Sequence, residues 1–132
     1  MFFAGANRYW CNDTLQLAPY ADDGILRSAE IATLNLADCS LVVLSACETG
    51  LGYSNSSEGV YGLQRAFKLA GAKQILMSLW AVDDRATDML MTGFYQGLLR
   101  GEDADEALRK SKIHLRKMYP SPEDWGAFVL LH

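Results

Sequence analysis

Histidine is scarce in this chain, with two among 132 residues, His114 and His132. Cysteine is little commoner: Cys11, Cys39 and Cys47 make an odd count with no Cys-x-x-Cys pair. That pattern argues against a disulfide framework and a structural zinc site, and it fits a reducing, cytoplasmic setting. Taken singly, Cys11 and Cys39 read as small buried hydrophobes. No apolar run approaches the ~18 residues of a membrane span. The first ten residues lack the basic and apolar regions of a secretory signal. Cations are not in excess either. Twelve Lys and Arg against sixteen Asp and Glu give a formal charge of −4, which argues against a duplex nucleic-acid partner. There is no repeat of 20–50 residues and no low-complexity tract, and nothing calls for a cofactor.

What is present is the composition of one globular domain, 50% hydrophobic and 21% charged,. The punctuation alternates strand-like and helix-like segments. Residues 2–6 form a short apolar run, and residues 7–23 read as a surface loop. Ser28 can cap a short helix over 28–34. Leu41-Val42-Val43-Leu44 does not alternate in polarity, so it reads as a strand covered on both faces, as in a parallel sheet. After a polar loop at 53–57, Ser57 can cap a helix that Gly71 ends, with Val60, Leu63, Phe67 and Ala70 on one stripe. Residues 74–79 are a second strand-like run, so 41–79 reads as strand, helix, strand in a parallel crossover.

A helix over 84–100 follows, buried through Ala86, Met89, Leu90, Gly93, Phe94 and Gly97. Another spans 103–118, with Asp103 and Glu106 spaced as a capping box and Ala107, Ser111, Leu115 and Met118 inward. Arg109, Lys110, Lys112, Arg116 and Lys117 make that helix basic, which reads as a solvated face. Residues 125–131 are expected to be a terminal strand, with Trp10 and Trp125 as packing residues. The fold class is α/β, a mostly parallel sheet flanked by helices.

In an open parallel sheet, ligands sit beyond the carboxyl ends of the strands. Two segments lead out of such ends here: 45–52 and 80–84. Cys47 falls where a strand end fixes its backbone and where Gly50 and Gly52 let backbone N–H groups turn toward a developing oxyanion. A cysteine-phosphatase loop needs Arg six residues on, but position 53 is Tyr. A P-loop needs Gly-Lys-Ser or Gly-Lys-Thr, but Tyr53 follows Gly52. Ser45 lacks the flanking glycines of a nucleophile elbow. Spacing alone leaves two readings of Cys47 open, a nucleophile and a buried structural thiol.

The run 42–52, from Val42 through Ser45-Ala46-Cys47-Glu48-Thr49-Gly50 to Gly52, resembles the nucleophile segment of the CHAT domain, a family of caspase-like cysteine peptidases often attached to tetratricopeptide repeats. The resemblance continues through Glu58-Gly59-Val60-Tyr61-Gly62-Leu63, Arg65-Ala66-Phe67 and Ala70-Gly71-Ala72. It then takes in Ser78-Leu79-Trp80-Ala81-Val82-Asp83-Asp84 with Thr87, Phe94-Tyr95, Glu106-Ala107-Leu108 and Trp125-Gly126-Ala127-Phe128-Val129. Upstream, Ala4-Gly5-Ala6-Asn7, Asp23-Gly24-Ile25-Leu26 and Glu30-Ile31 also fit.

The resemblance implies a caspase-like three-layer fold, a bacterial source and a peptide-bond hydrolase acting on a peptide or protein. Cys47 matches the family nucleophile, and the backbone at Glu48, Thr49 and Gly50 forms the oxyanion loop. Trp80, Asp84 and Thr87 match residues that line or brace the substrate side. Asp84 can select a basic side chain there, or it can simply cap its helix. The family's base is a His in a His-Gly segment upstream of the region matched by residues 4–7. The 132 residues are therefore expected to be a single partial domain, the C-terminal half, without that His, the following Gly and the first strands. Neither His114, in mid-helix, nor His132, after the last strand, suits the role. The expectation is an inactive isolated chain. The alternative is a non-catalytic interaction module that forms a homodimer or pairs with a complementing chain.

Overall fold

A computed structural model describes residues 24–44 and 58–132. In chain order the described elements are α1 (Ser28–Ile31), β1 (Leu41–Leu44), α2 (Glu58–Leu69), β2 (Gln74–Ser78), α3 (Asp84–Leu99), α4 (Ala104–Met118), α5 (Pro122–Trp125) and β3 (Phe128–Leu131). The result is a mixed α/β fold around a three-stranded sheet of order β1-β2-β3. β1 and β2 are parallel, with Leu41 opposite Gln74 and Leu44 opposite Met77. β3 returns antiparallel to β2, with Phe128 opposite Ser78 and Leu131 opposite Ile75. Among the described residues, the parallel arrangement expected for the sheet thus holds for one of its two pairings.

Period-2 alternation divides each strand between two apolar clusters. Ile75 and Met77 of β2, with Val42, Leu44, Val129 and Leu131, pack with Ile31 of α1 and with Ala66 and Phe67 of α2. Leu76, with Leu41, Val43, Phe128 and Leu130, packs with Ala86, Leu90 and Phe94 of α3 and Ala107, Leu108 and Leu115 of α4. Covering on both faces is why residues 41–44 show no polar alternation.

α3 and α4 approach closely because small residues face each other. A Cβ placed on Gly93 would come 2.6 Å from Ser111 Oγ, and one on Gly97 would come 2.7 Å from Ala107 Cβ. The Ser111 hydroxyl donates to the Leu90 carbonyl, so this buried polar group is satisfied within the seam,. The turn between the two helices is tied by Glu102, which pairs with Arg100 and Lys110, both at 3.3 Å.

Several boundaries differ from the sequence expectation. α1 is a single turn, and its cap position is Arg27, not Ser28. There the Arg27 N–H donates to Glu30 Oε2 at 2.7 Å, a local bond that leaves Ser28 no capping role. Gly71 does follow α2, at a φ of 102° that a side chain would disfavour,. Asp103 caps α4 by accepting from Glu106 N–H at 2.8 Å. The other half of the expected capping box is absent, because the Glu106 carboxylate turns to Arg109 at 2.7 Å. On α4, Leu108 is buried in place of Met118, which is 47% exposed. Residues 122–125 form the short helix α5, capped by Ser121 with Pro122 in its first turn. The terminal strand therefore starts at Phe128, later than the pattern suggested,. Cys39 is half-buried and its thiol donates to the Leu41 carbonyl. Cys11, Trp10 and the apolar run at 2–6 lie outside the described residues.

Candidate functional site

The parallel pairing sets the geometry of the candidate site. Leu44 ends β1 opposite Met77, one residue before the end of β2. The chain therefore leaves both strands from the same edge of the sheet, about 5 Å apart. Segment 45–57 follows Leu44. Its candidate nucleophile Cys47 and loop residues Glu48, Thr49 and Gly50 lie outside the described residues.

The exit of β2 is described in full. The Leu79 N–H donates to the Ala127 carbonyl at 2.9 Å, extending the sheet by one bond. Trp80 comes next, with 37% of its surface exposed. Its indole Nε1–H donates to the Glu123 carbonyl at 2.8 Å. The ring lies against Gly126, where an added Cβ would sit 3.7 Å from Trp80 Cζ2. Trp80 thus braces the exit loop against α5. Val82 is buried in the core, so the loop is pinned at two points before α3 begins.

Asp84 is not the cap of α3. That position belongs to Asp83, whose Oδ1 accepts from Arg85 N–H at 3.0 Å and Ala86 N–H at 3.1 Å. The register is shifted by one residue, because buried Ala86 must fall at the third helical position. Asp84 occupies the first helical position with an exposed side chain. Its carboxylate has no hydrogen-bond or ion-pair partner among the described residues, which leaves it available to a cationic group. The Thr87 hydroxyl oxygen is buried and has no hydrogen-bond partner among the described residues. The residue as a whole is half-buried in the first turn of α3.

Sequence reasoning missed Asp83, Glu123 and Gly126 at this exit. The run of two aspartates marked a helix start but not which of the two caps it. Glu123 contributes through its main-chain carbonyl, for which no side-chain pattern exists.

His132 does not stand at the exit of β1. His132 follows β3 and lies beside Gln74, its Nδ1 3.4 Å from Gln74 Nε2 and its Nε2 3.3 Å from Asp105 Oδ1. Gln74 is opposite Leu41. His132 is therefore at the amino ends of the parallel strands, and the length of β1, about 10 Å, separates it from the level of Leu44. His114 is exposed on α4. No group of three or more His, Cys, Asp or Glu residues that could hold a metal ion occurs among the described residues.

The titration that stands out lies elsewhere, on α4. Hydrogen bonds from the Arg109 guanidinium draw the Glu106 carboxyl down to about 2, with Lys110 adding a Coulombic contribution. The same pair raises the Arg109 guanidinium. This is a surface clamp within one helix turn, not a catalytic acid.

No helix among the described residues is long and apolar enough to cross a membrane. No solved structure matches the chain. Human tetratricopeptide repeat protein 28 is 33% identical over 124 residues, covering 90% of this chain and 5% of the relative. Its mouse counterpart is 33% identical over 109 residues, 81% of this chain and 4% of the relative. The chain thus spans about one-twentieth of the curated relatives it matches, and these mammalian relatives give no support to a bacterial source. The family match is to the CHAT domain, over residues 5–132. The chain belongs to the CHAT domain family.

Proposed function

We propose that these residues are the nucleophile-bearing part of a CHAT-type cysteine peptidase with a caspase-like, three-layer, mostly parallel α/β architecture. Cys47 is its nucleophile, and its base comes from outside the 132 residues. The observation that carries the reading is the register of Leu44 with Met77. It sends the Cys47 segment and the Trp80–Asp84 segment out of neighbouring parallel strands from one edge,. The position of His132, beside Gln74 at the amino ends of the parallel strands, supports the second half of the claim.

In the complete site an imidazole takes the Cys47 proton, and the thiolate attacks the scissile carbonyl. Backbone N–H groups at Glu48, Thr49 and Gly50 hold the oxyanion. The imidazolium then protonates the leaving amine, and water, deprotonated by the same imidazole, hydrolyses the thioester. Asp84 selects a basic side chain, Trp80 holds the loop that carries Asp84, and Thr87 supports that loop from within α3. The substrate is a peptide or protein and no cofactor is required. The single partial domain works in the cytoplasm, with no nucleic-acid or membrane partner.

The isolated chain turns over no peptide on this reading. A fluorogenic panel including Lys- and Arg-containing peptides, run against Cys47→Ala, tests it. Equal background from both proteins is the expected result, and hydrolysis that the substitution abolishes would overturn it.

A second reading is an interaction module. Its motivation is the position of β1 at the edge of the described sheet, a place where a second copy or a complementing chain can add a strand. Light scattering at micromolar concentration decides: a dimer supports it, and a well-folded monomer counts against it.

A further inference from the structure

The carboxyl-terminal half of α4 carries charge and apolar surface that the fold leaves unused. No Asp or Glu occurs between Glu106 and Glu123, whereas Arg109, Lys110, Lys112, Arg116 and Lys117 all do. Arg109 and Lys110 are neutralised by Glu106 and Glu102. Arg116 is held with its guanidinium 5.8 Å from the centre of the Trp125 ring. Lys112 and Lys117 have no hydrogen-bond or ion-pair partner among the described residues. Lys112 is also half-buried, and desolvation lowers its ammonium pKa. On the same face as these cations stands Ile113, 46% exposed.

The helix dipole accounts for Arg116 and Lys117 in the last turn,. It does not account for a desolvated, unpaired ammonium a turn earlier, nor for the large apolar side chain of Ile113 left in water beside it. Lys112 and Arg116 are four residues apart, as are Ile113 and Lys117, so the three cations and Ile113 share one face over about 8 Å of helix.

We propose that this half of α4 is a docking surface for an acidic, apolar-containing segment of a partner polypeptide, with its carboxylates on Lys112, Arg116 and Lys117 and an apolar side chain on Ile113. The inference does not depend on the role of Cys47. A short segment fits better than a membrane or a duplex because the cationic strip is narrow. The contacts of Gly93 with Ser111 and Gly97 with Ala107 run the two helices antiparallel and set Asp88 of α3 level with Arg116. Asp84, Glu123 and Asp124 lie on the adjoining turns of α3 and α5. A broad polyanionic surface would meet these carboxylates too, and pay for it in repulsion.

The test uses the 132-residue chain and a labelled 14-residue peptide with Glu and Leu on one face, read by fluorescence anisotropy. K112Q/K117Q is expected to weaken binding about tenfold or more, with R65Q on α2 without effect and high salt weakening all binding. K112Q is expected to melt no lower than the parent, so lost binding is not lost folding. Absent peptide binding, equal weakening by R65Q, equal binding of an oligo-glutamate without Leu, or binding to phosphatidylserine vesicles that the peptide does not displace would each overturn the proposal.

Discussion

Trp80 and Glu123, 43 residues apart, are joined by a single 2.8 Å hydrogen bond from an indole N–H to a main-chain carbonyl. The bond ties the exit of β2 to α5. Trp80→Phe replaces the indole by a smaller phenyl ring and removes the donor. It is expected to lower stability by about 1 kcal/mol, seen as a lower urea midpoint with an unchanged slope. An unchanged midpoint would show that the bond contributes nothing.

The two neighbouring aspartates have separable roles. Asp83→Ala removes acceptors for two N–H groups of α3 and is expected to cost about 1 kcal/mol. Asp84→Ala removes an exposed charge from the first turn and is expected to cost about 0.5 kcal/mol or less. Thermal unfolding of both variants checks the order, and the reverse order would place the cap at Asp84.

The α3–α4 seam predicts coupling. Gly93→Ala drives a methyl toward Ser111 Oγ, at a cost of about 1–3 kcal/mol, partly offset by up to about 1 kcal/mol of helix propensity. The next nearest atom to that methyl is Ser111 Cβ, at an ordinary 3.5 Å. In the background of Ser111→Ala, the Gly93→Ala change is therefore expected to cost less than it does alone. A double-mutant cycle by chemical denaturation reads the difference, and strict additivity would contradict the close approach.

Glu106 sets an acid-side signature. Its carboxyl lies at about 2 in the folded chain against an ordinary 4.5. Because the folded value is the lower one, its contribution to stability is fully present above pH 4.5 and is lost as pH falls toward 2. Carboxyl NMR titration is expected to place its midpoint near 2, and in Arg109→Met to return it toward 4.5. An ordinary midpoint in the parent chain would show that the Arg109 bonds do not persist in solution.

Strands and helices were legible where one period dominates. Leu41–Leu44 read as a strand covered on both sides, and the stripe Ala86, Leu90, Phe94 and Gly97 located α3 to within a residue of its ends. The start of β3 was not legible, because the apolar run 125–131 hides a change from α5 to strand that Ser121 and Pro122 impose from before it. The antiparallel return of β3 was equally hidden, since a four-residue apolar strand carries no mark of direction. At the site, the sequence singled out Trp80, Asp84 and Thr87 but not Asp83 or Glu123, whose roles rest on helix register and on a main-chain atom. On the basic face of α4, Arg109, Lys110, Arg116 and Lys117 are exposed as expected of a solvated face, while Lys112 is half-buried, which the sequence does not show.

The central claim is that Cys47 is an accessible sulfur nucleophile whose base is not within these 132 residues. The rate of its alkylation by iodoacetamide, followed by mass spectrometry from pH 5 to pH 10, tests both halves at once. The account predicts that Cys47 reacts in the folded chain and that its rate rises through a midpoint of about 8.5, the range of an unassisted thiol. A midpoint below about 7 would reveal an imidazole or other cation already in place. A sulfur that resists alkylation across the whole range would be a structural one, and either result contradicts the account.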